Sequence, residues 1–218
     1  PGQSLAELLP DMLHKVVREM AGARSMRWSN GGDDGRDNRR DGSPDRFLRP
    51  VRWLVALHGA EVLPVSLFGL EAGRTTRGHR VHAPGPHAID AVEAYEQVLE
   101  QAFVVADHQR RRSRIAEQVR ACADSVGLAT QTEEALLDEV TGLVEWPVAV
   151  VGAFDEAFLN VPPEALISSM REHQKSFPLF TPEGTLAARF ITVANLESEQ
   201  PELMIHGFER VIRPRLAD

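Results

Sequence analysis

Cysteine is almost absent from this 218-residue sequence, in which Cys122 is the only one. A single cysteine excludes an internal disulfide bond and a cysteine-rich zinc cluster. Long apolar runs are absent as well, since none approaches the roughly 20 residues that a helix needs to cross a bilayer, and the first residues lack the pattern of a signal peptide. These absences predict a soluble, cytoplasmic protein with no membrane partner.

The sequence also lacks the familiar motifs for nucleotides and metals. It contains no GxxxxGK[ST], GxGxxG, HExxH or CxxC pattern, and these are the motifs that cradle phosphates or ligate zinc. His79, His82 and His87 lie close together, but the glycines and prolines around them oppose the helix that would align them on a metal. We therefore expect neither a cofactor nor a metal here, and we assign no catalytic residue.

Lysine is scarce, because Lys15 and Lys175 are the only lysines among 24 basic residues. Arginine matches the planar geometry of phosphate better than lysine does, although a GC-rich genome would produce the same bias. The net charge is −8, with 18 basic and 16 acidic residues in 1–120 and 6 against 16 in 121–218. This acidity disfavours indiscriminate binding to nucleic acids, so we expect no DNA partner, but it permits a local basic face.

Short β-branched segments and amphipathic segments follow one another without regular βαβ spacing. Strands are predicted at 51–58 and 62–68, which form a hairpin, and at 147–154, 177–181 and 190–194. Helices are predicted from near Pro10 to Met20 and at 91–101, 107–126, 133–144, 162–173 and 202–216. Residues 69–85 are interpreted as a connection rich in glycine and histidine. This pattern predicts an α+β fold with mixed or antiparallel sheets and flanking helices.

Residues 29–45 contain no aliphatic or aromatic side chain and mix glycine with charges of both signs. Such a segment cannot bury enough apolar surface to offset the entropy that is lost on ordering. We therefore predict a mobile loop at 29–45.

Arg74, Arg77, His79 and Arg80 place three guanidinium groups and an imidazole within seven residues. Arginine forks match phosphate oxygens, and the neighbouring glycines allow a ligand to approach the backbone closely. The cluster is therefore a candidate phosphate-binding site. The alternative is a solvated loop whose arginines pair with acidic neighbours.

A second cluster, at residues 171–175, reads Arg-Glu-His-Gln-Lys at the predicted end of a helix. Cations near a helix C-terminus are stabilised by the helix dipole, so capping is the alternative to a ligand contact through Lys175. Arg49 and Arg52 are further candidates, beside the predicted hairpin. The tryptophans, Trp28, Trp53 and Trp146, are expected to pack in the core or between subdomains and not to stack on bases.

Several short words occur together and in a fixed order. They are SMRW at 25–28, RPVRWLVAL at 49–57, AGRTTRGHR at 72–80, LLDEV and VEWP within 136–147, EHQKSF at 172–177 and RVIRPRLAD at 210–218. In this combination the chain closely resembles the β subunit of the bacterial heterotetrameric glycyl-tRNA synthetase. The resemblance covers the whole chain except 29–45, which looks like an insertion.

The resemblance implies an internal piece of a longer subunit. Residues 1–48 would form an N-terminal helix and the mobile loop, 49–200 a domain similar to the B3/B4 region of the phenylalanyl-tRNA synthetase β subunit, and 201–218 a helix that leads to a further domain. A separate α subunit would hold the class II site for glycine, ATP and Mg²⁺. Ser176 stands where family members commonly have tyrosine.

The function implied is support of tRNA(Gly) binding and of assembly with the α subunit, without bond-making by this chain, which alone is expected to be inactive. The predicted RNA-facing residues are Arg74, Arg77, His79, Arg80 and Lys175, followed by Arg49 and Arg52. Two alternatives stay open. One is a purely structural module, and the other is an editing hydrolase like the B3/B4 region of the phenylalanine enzyme, although glycine, the smallest amino acid, has little need of a second sieve.

Overall fold

Helices and strands are interspersed along the chain in the computed structural model, which describes residues 2–20, 25–28, 45–47 and 49–217. The α-helices are α1 (Leu5–Met20), α2 (Tyr95–Gln101), α3 (His108–Ser125), α4 (Glu134–Leu143), α5 (Pro163–Ser168) and α6 (Pro201–Ala217). Short 3₁₀ segments lie at Val92–Ala94 and Glu156–Asn160, and a π-helical segment, Ser169–His173, follows α5. Apart from Asp45, the loop predicted at 29–45 lies outside the described residues.

The strands form several small sheets and one larger one. They are β1 (Met26–Trp28), β2 (Asp45–Phe47), β3 (Leu54–Val55), β4 (Leu57–His58), β5 (Glu61–Val62), β6 (Ser66–Leu67), β7 (Leu70–Gly73), β8 (Thr75–Arg77), β9 (Pro86–Ala88), β10 (Ala129–Thr130), β11 (Val148–Ala153), β12 (Phe177–Phe180) and β13 (Leu186–Ala194). Antiparallel pairs join β1 to β2, β4 to β5 and β8 to β9. Strand β7 pairs in parallel with β3 and antiparallel with β6, and an antiparallel sheet has the order β10-β12-β13-β11. The α+β prediction is confirmed, and the B3/B4-like assignment stays a prediction.

The contacts within the chain define two compact units. Unit 1 consists of Pro1–Gly78 and Pro84–Val98, and unit 2 consists of His79–Ala83 and Leu99–Asp218. The domain boundaries predicted at residues 48 and 200 do not coincide with this division and stay a prediction. The short segment His79–Ala83 belongs with the C-terminal part of the chain, although both of its neighbours in sequence belong to unit 1.

Helix α1 of unit 1 begins before the proline at which the sequence predicts its start. The Ser4 N–H donates to Glu7 Oε2 at 3.0 Å, and the Ser4 carbonyl accepts the N–H groups of Glu7 and Leu8, each at 3.1 Å. The first of these bonds is one half of a capping box, which satisfies backbone groups at a helix start. Pro10 lies inside the helix, so the predicted start near Pro10 is wrong.

The core of unit 1 is built around three buried side chains, Val65, Leu67 and Phe68. Apolar side chains of α1 and of the neighbouring strands pack against them: Leu9, Leu13, Val17, Val51, Leu54, Ala56, Leu63 and Ala72. The α1 side of this contact uses residues four apart, which lie on one face of a helix. The amphipathic pattern of the first segment is therefore confirmed, although its start is not.

The hairpin predicted for 51–68 is confirmed in its centre only. Strands β4 and β5 pair across Gly59 and Ala60, with Leu57 opposite Val62, and β3 pairs elsewhere. The segment 69–85, interpreted from the sequence as a connection, contains the strands β7 and β8. The turn into β7 uses Phe68 and Gly69, whose φ angles are 55° and 70°, and two successive positive φ values are typical of a tight hairpin turn.

The larger sheet of unit 2 separates two apolar clusters. Ile191 of β13 belongs to the cluster that α3 and α4 form, whereas its neighbour Phe190 packs with residues of α5, α6 and the π-helical segment. Adjacent residues of a strand point to opposite faces, so helices cover both faces of this sheet. Helix α3 begins and ends as predicted, since Asp107 accepts the Arg110 N–H at 2.6 Å and Gly127 follows with a φ of 66°.

Side chains protect the outer edge of β11. The Gln118 amide accepts the Ala149 N–H at 2.8 Å and donates to the Pro147 carbonyl at 3.0 Å. Further along the strand, the Glu209 carboxylate accepts the Ala153 N–H at 2.9 Å. An unpaired strand edge is a template for pairing with another chain. These side chains therefore close the edge against strand addition.

Substitution of Gly152 by alanine should destabilise unit 2. Gly152 lies opposite Phe190 in the β11–β13 pair, and a Cβ atom at Gly152 would lie 2.4 Å from Phe190 Cζ and 2.9 Å from both Cε atoms. The Phe190 ring is only 1% exposed, so it has no free space into which to move. We expect Gly152→Ala to lower the free energy of unfolding by about 1–3 kcal/mol, measured by urea denaturation.

The matched control is Gly142→Ala in helix α4. A Cβ atom at Gly142 would have no neighbour within 4 Å, and alanine is favoured over glycine in a helix by up to about 1 kcal/mol, less at a residue such as Gly142 in the last turn. Gly142→Ala should therefore raise the free energy of unfolding. Equal effects of the two substitutions would contradict this account of Gly152.

Candidate nucleic-acid interface

The Arg74 guanidinium is used inside unit 1. Its Nη2 donates to the Ala60 carbonyl at 3.0 Å, and its Nη1 donates to the Asp90 carbonyl at 3.1 Å and to the Ile89 carbonyl at 3.5 Å. These bonds tie the turn between β4 and β5 to the residues that follow β9. The prediction that Arg74 faces RNA is untested, but the geometry gives this side chain a structural use.

Three other candidates of unit 1, Arg49, Arg52 and Arg77, are exposed. Arg77 lies in β8 opposite Pro86, next to the buried Thr76. Strand alternation therefore places Arg77 on the face away from Thr76. Among the residues that the structure describes, none accepts a hydrogen bond from these three guanidinium groups.

His79 is the most enclosed of the candidates, with an exposed fraction of 1%. Its Nδ1 accepts the N–H groups of Val81 at 3.3 Å and His82 at 3.2 Å, while Nε2 lies 2.6 Å from the Asn195 carbonyl. A carbonyl oxygen can only accept, so Nε2 carries the proton and the imidazole is neutral. In this conformation His79 makes no direct contact with a ligand on the surface, and its predicted role as an RNA-facing residue needs another explanation.

Arg80 follows His79 directly and is exposed. It lies in a single helical turn that the Ala83 N–H closes on the His79 carbonyl at 2.9 Å. No described side chain or carbonyl binds its guanidinium. Within unit 2, Arg80 is thus the member of the predicted cluster that remains available to a ligand.

Lys175 lies just past the π-helical segment, with a φ of 51°. Its Nζ is 2.8 Å from Glu139 Oε1 on helix α4. Arg171 pairs with the residue just before this helix, since its Nη1 is 3.2 Å from Glu133 Oε2. The basic residues of the second cluster therefore hold α4 through ion pairs, an arrangement that helix capping alone does not describe.

Comparison with known proteins gives the same family over the whole chain. The profile of the family described as "Glycyl-tRNA synthetase beta subunit" matches residues 1–218. The chain belongs to this family. It is 50% identical over 217 residues to the glycine–tRNA ligase β subunit of Chromohalobacter salexigens and 43% identical over 218 residues to that of Moorella thermoacetica, covering 100% of this chain and 30% of each relative. The resemblance read from the short words is confirmed, and the chain spans about three-tenths of the length of these relatives.

A ladder of rings in this synthetase-family chain was not predicted from the sequence. His79 stacks on His82 with ring centroids 4.8 Å apart, His82 lies 4.8 Å from Phe103, and Phe103 meets Trp146 edge to face at 5.1 Å. The Arg114 guanidinium lies 4.0 Å above the Trp146 ring. Neighbours occupy the ring faces along the ladder, so its role is packing. Trp146 packs as predicted, whereas Trp53 is 45% exposed, which contradicts its expected core position; the side chain of Trp28 lies outside the described part.

The arginines of helix α3 are largely used within unit 2. Arg110 pairs with Glu100 at 2.7 Å, and Arg111 donates to the carbonyls of Thr141 and Val105. Arg112 bridges Asp138 and Glu134 of helix α4, and its hydrogen bond to Asp138 is the main cause that raises its pKa. The basic run Arg110–Arg112 of α3 is therefore used for contacts within unit 2.

Two other groups have perturbed acidity. Partial burial raises the pKa of the Cys122 thiol, whose Sγ lies 3.5 Å from the Ala149 carbonyl, so this thiol is a poor nucleophile. A hydrogen bond with the Thr181 side chain lowers the pKa of Glu183, which is exposed in the β12–β13 turn. Neither group lies among the predicted site residues.

An open cleft of about 720 Å³ lies in unit 2 near the β12–β13 turn, with Leu128, Phe154 and Arg189 among its lining residues. None of the predicted site residues lines it. In the described ranges, no helix is long and apolar enough to cross a membrane. No group of three or more His, Cys, Asp or Glu side chains there could hold a metal ion.

Replacement of Arg74 should separate its structural use from a role in binding. Arg74→Ala would leave the Ala60 and Asp90 carbonyls without their donor, and a hydrogen bond from a charged group contributes about 1.5–3 kcal/mol. Because the site is only half-buried, we expect a loss of about 1–2 kcal/mol in the free energy of unfolding. Arg74→Lys should restore little of it, because an ammonium cannot reproduce the guanidinium fork.

Arg77→Ala is the matched control for Arg74→Ala, since Arg77 is exposed and lies three residues away. Its effect should stay within about 0.5 kcal/mol. Chemical denaturation of all three variants measures the difference. If Arg74→Ala is as stable as Arg77→Ala, the carbonyl contacts of Arg74 do not hold unit 1 together.

Proposed function

We propose that this chain is a non-catalytic region of a glycyl-tRNA synthetase β subunit that contacts the phosphates of tRNA(Gly) and supports assembly with the α subunit. The relatives are glycine–tRNA ligase β subunits, and their name implies a partner subunit of another kind. The absence of any nucleotide-binding motif in this sequence supports placing ATP, Mg²⁺ and the synthesis of the ester bond on that partner. We also propose a cytoplasmic location, because charged tRNA is used there in protein synthesis.

Four exposed arginines that lack a partner among the described residues carry this proposal. Arg49, Arg52 and Arg77 in unit 1 and Arg80 in unit 2 have no bonding partner in the described part of the chain. Arg74, Lys175 and most arginines of α3 bond within their own unit instead. A guanidinium with free donors can bind phosphate oxygens in a bidentate manner. The four exposed arginines are therefore our RNA-facing set, whereas Arg74, His79 and Lys175 make contacts inside their own units.

The overall charge limits how RNA can bind. By sequence, unit 1 carries 12 basic and 13 acidic residues, and unit 2 carries 12 basic and 19 acidic residues. An acidic surface repels a phosphate backbone at long range, so attraction has to come from local arginines at short range. Contacts of this kind fix the position of the RNA without reading its sequence. Selection of glycine tRNA would then depend on other parts of the enzyme.

A purely structural module remains the second candidate. It is supported by the Arg74 bonds to backbone carbonyls and by the ion pairs of Lys175 and Arg171 with α4. In that case removal of Arg77 or Arg80 would leave tRNA binding unchanged. The two candidates therefore make opposite predictions for the same variants.

A titration of the 218-residue chain with a tRNA(Gly) transcript at two salt concentrations, with and without an α subunit, tests the proposal. Each phosphate contact that is lost lowers the slope of log K against log salt by about 0.7–0.9. Arg77→Ala and Arg80→Ala should each weaken binding and reduce this slope by about one unit. Arg110→Ala is the control, because this exposed arginine is paired with Glu100, and it should leave the slope unchanged.

Several outcomes would count against RNA contact by this chain. Equal slopes for wild type, Arg77→Ala and Arg80→Ala would favour the structural module. ATP or glycyl-adenylate bound by this chain alone would contradict the assignment of bond-making to the partner. Hydrolysis of mischarged tRNA by the chain would favour the editing alternative.

A further inference from the structure

The His79 side chain caps the short turn that carries Arg80. Its Nδ1 accepts the N–H groups of Val81 and His82, two and three residues further on. An N-cap residue makes the same contacts at the start of a helix, usually through an oxygen of Ser, Thr, Asp or Asn. The turn is closed by the bond from the Ala83 N–H to the His79 carbonyl at 2.9 Å. Arg80 is thus the first residue of a capped turn.

The same imidazole also fastens the turn to the rest of unit 2. Nε2–H donates to the Asn195 carbonyl at 2.6 Å, and the His79 N–H donates to the Ala102 carbonyl at 2.8 Å. One ring nitrogen therefore accepts and the other donates. Only the neutral imidazole with its proton on Nε2 satisfies both.

The residues that receive the turn are themselves held in place. The Asn195 side-chain oxygen accepts the N–H groups of Glu145 at 2.7 Å and Trp146 at 3.0 Å. The Trp146 indole N–H donates to the Glu197 carboxylate at 2.9 Å, and the Glu197 N–H donates to His82 Nε2 at 3.0 Å. The turn at 79–83 is therefore fixed at both of its histidines to one short segment, residues 195–197.

We propose that His79 is a positioning residue that holds Arg80 ready to bind a tRNA phosphate. This inference rests on the proposed function, because it requires that Arg80 contact RNA. A group that is already held in its bound arrangement loses less freedom when the ligand arrives, and this preorganisation increases affinity. His79 contributes through the backbone of the turn and does not touch the RNA.

Two substitutions divide the contacts of His79 between them. Asparagine places an oxygen near the position of Nδ1, so His79→Asn keeps the cap and loses the bond to Asn195. Glutamine places an amide N–H near the position of Nε2, so His79→Gln keeps the bond to Asn195 and loses the cap. Each variant should weaken binding of a tRNA(Gly) transcript at low salt by about two- to threefold, whereas Arg80→Ala should weaken it by about fivefold.

A double-mutant cycle shows whether His79 acts through Arg80. In the Arg80→Ala background, His79→Asn and His79→Gln should cause no further loss of tRNA affinity, since the side chain that they misplace is gone. The positioning role would be overturned if the losses of affinity add in the double variants. It would also be overturned if the single His79 variants bind as wild type does while Arg80→Ala weakens binding. His173→Asn, at an exposed histidine, is the matched control and should bind like wild type.

The outcome for Arg80 separates this inference from the proposed function. If Arg80→Ala binds tRNA like wild type but Arg77→Ala does not, RNA contact by the chain stands and the positioning role of His79 falls. If neither substitution alters binding, both fall. Thermal unfolding of every variant shows whether it remains folded.

Nitrogen NMR of the unsubstituted chain provides a test that does not depend on variants. The His79 ring should show an unprotonated Nδ1 and a protonated Nε2. These signals should remain when tRNA is added, while the Arg80 Nε–H signal shifts. Protonation of Nδ1 in the free chain, or a direct response of the His79 ring with none at Arg80, would overturn the inference.

Discussion

Hydrogen bonds from arginine side chains to backbone carbonyls hold together parts of this chain that regular secondary structure leaves unpaired. In unit 1, Arg74 joins the β4–β5 turn to the Asp90 carbonyl. In unit 2, Arg111 does the same for the Thr141 carbonyl at the end of α4 and the Val105 carbonyl before α3. A carbonyl that is left without a donor in a partly buried place costs free energy. This requirement decides which arginines remain available for a ligand.

Acidic residues at helix α4 form ion pairs with several other basic residues. Its acidic side chains, together with Glu133 before it, receive Arg112 from α3 and both Arg171 and Lys175 from the segment after α5. Each exposed ion pair of this kind contributes little to the stability of the fold. The paired cations are nevertheless ones that the sequence alone suggests as ligand contacts. Several basic residues of unit 2 therefore have partners inside the unit. By sequence, unit 2 carries 19 acidic and 12 basic residues.

Local signals for the start and end of an element explain which elements the sequence predicts well. Helix α3 lies between Asp107 and Gly127 as expected, and the β12–β13 pair is joined by a turn in which Gly184 has a φ of 87°. The start of α1 is missed because Pro10 suggests a beginning there. The Ser4-x-x-Glu7 pattern was the better signal, since the bond from the Ser4 N–H to Glu7 stabilises an earlier turn.

The environments of the candidate residues depend on distant parts of the chain, and the sequence therefore does not predict them. Arg74 meets a carbonyl 16 residues away, and His79 meets one 116 residues away. No local pattern marks which guanidinium in a run of basic residues will find such a partner. The family could be recognised from its short words, because that comparison needs no knowledge of contacts. Only the three-dimensional structure shows which side chains of the run have partners among the described residues.

The hydrogen bonds of its two ring nitrogens require His79 to be neutral, because one nitrogen accepts and the other donates. A charged imidazole beside Arg80 would add attraction for phosphate, but Nδ1 could then no longer accept the N–H groups of Val81 and His82. The fold therefore uses one basic residue of the predicted cluster as an uncharged support. An arginine on a fixed turn loses less freedom on binding than one on a loose turn, which is why we propose that this support favours a phosphate contact at Arg80.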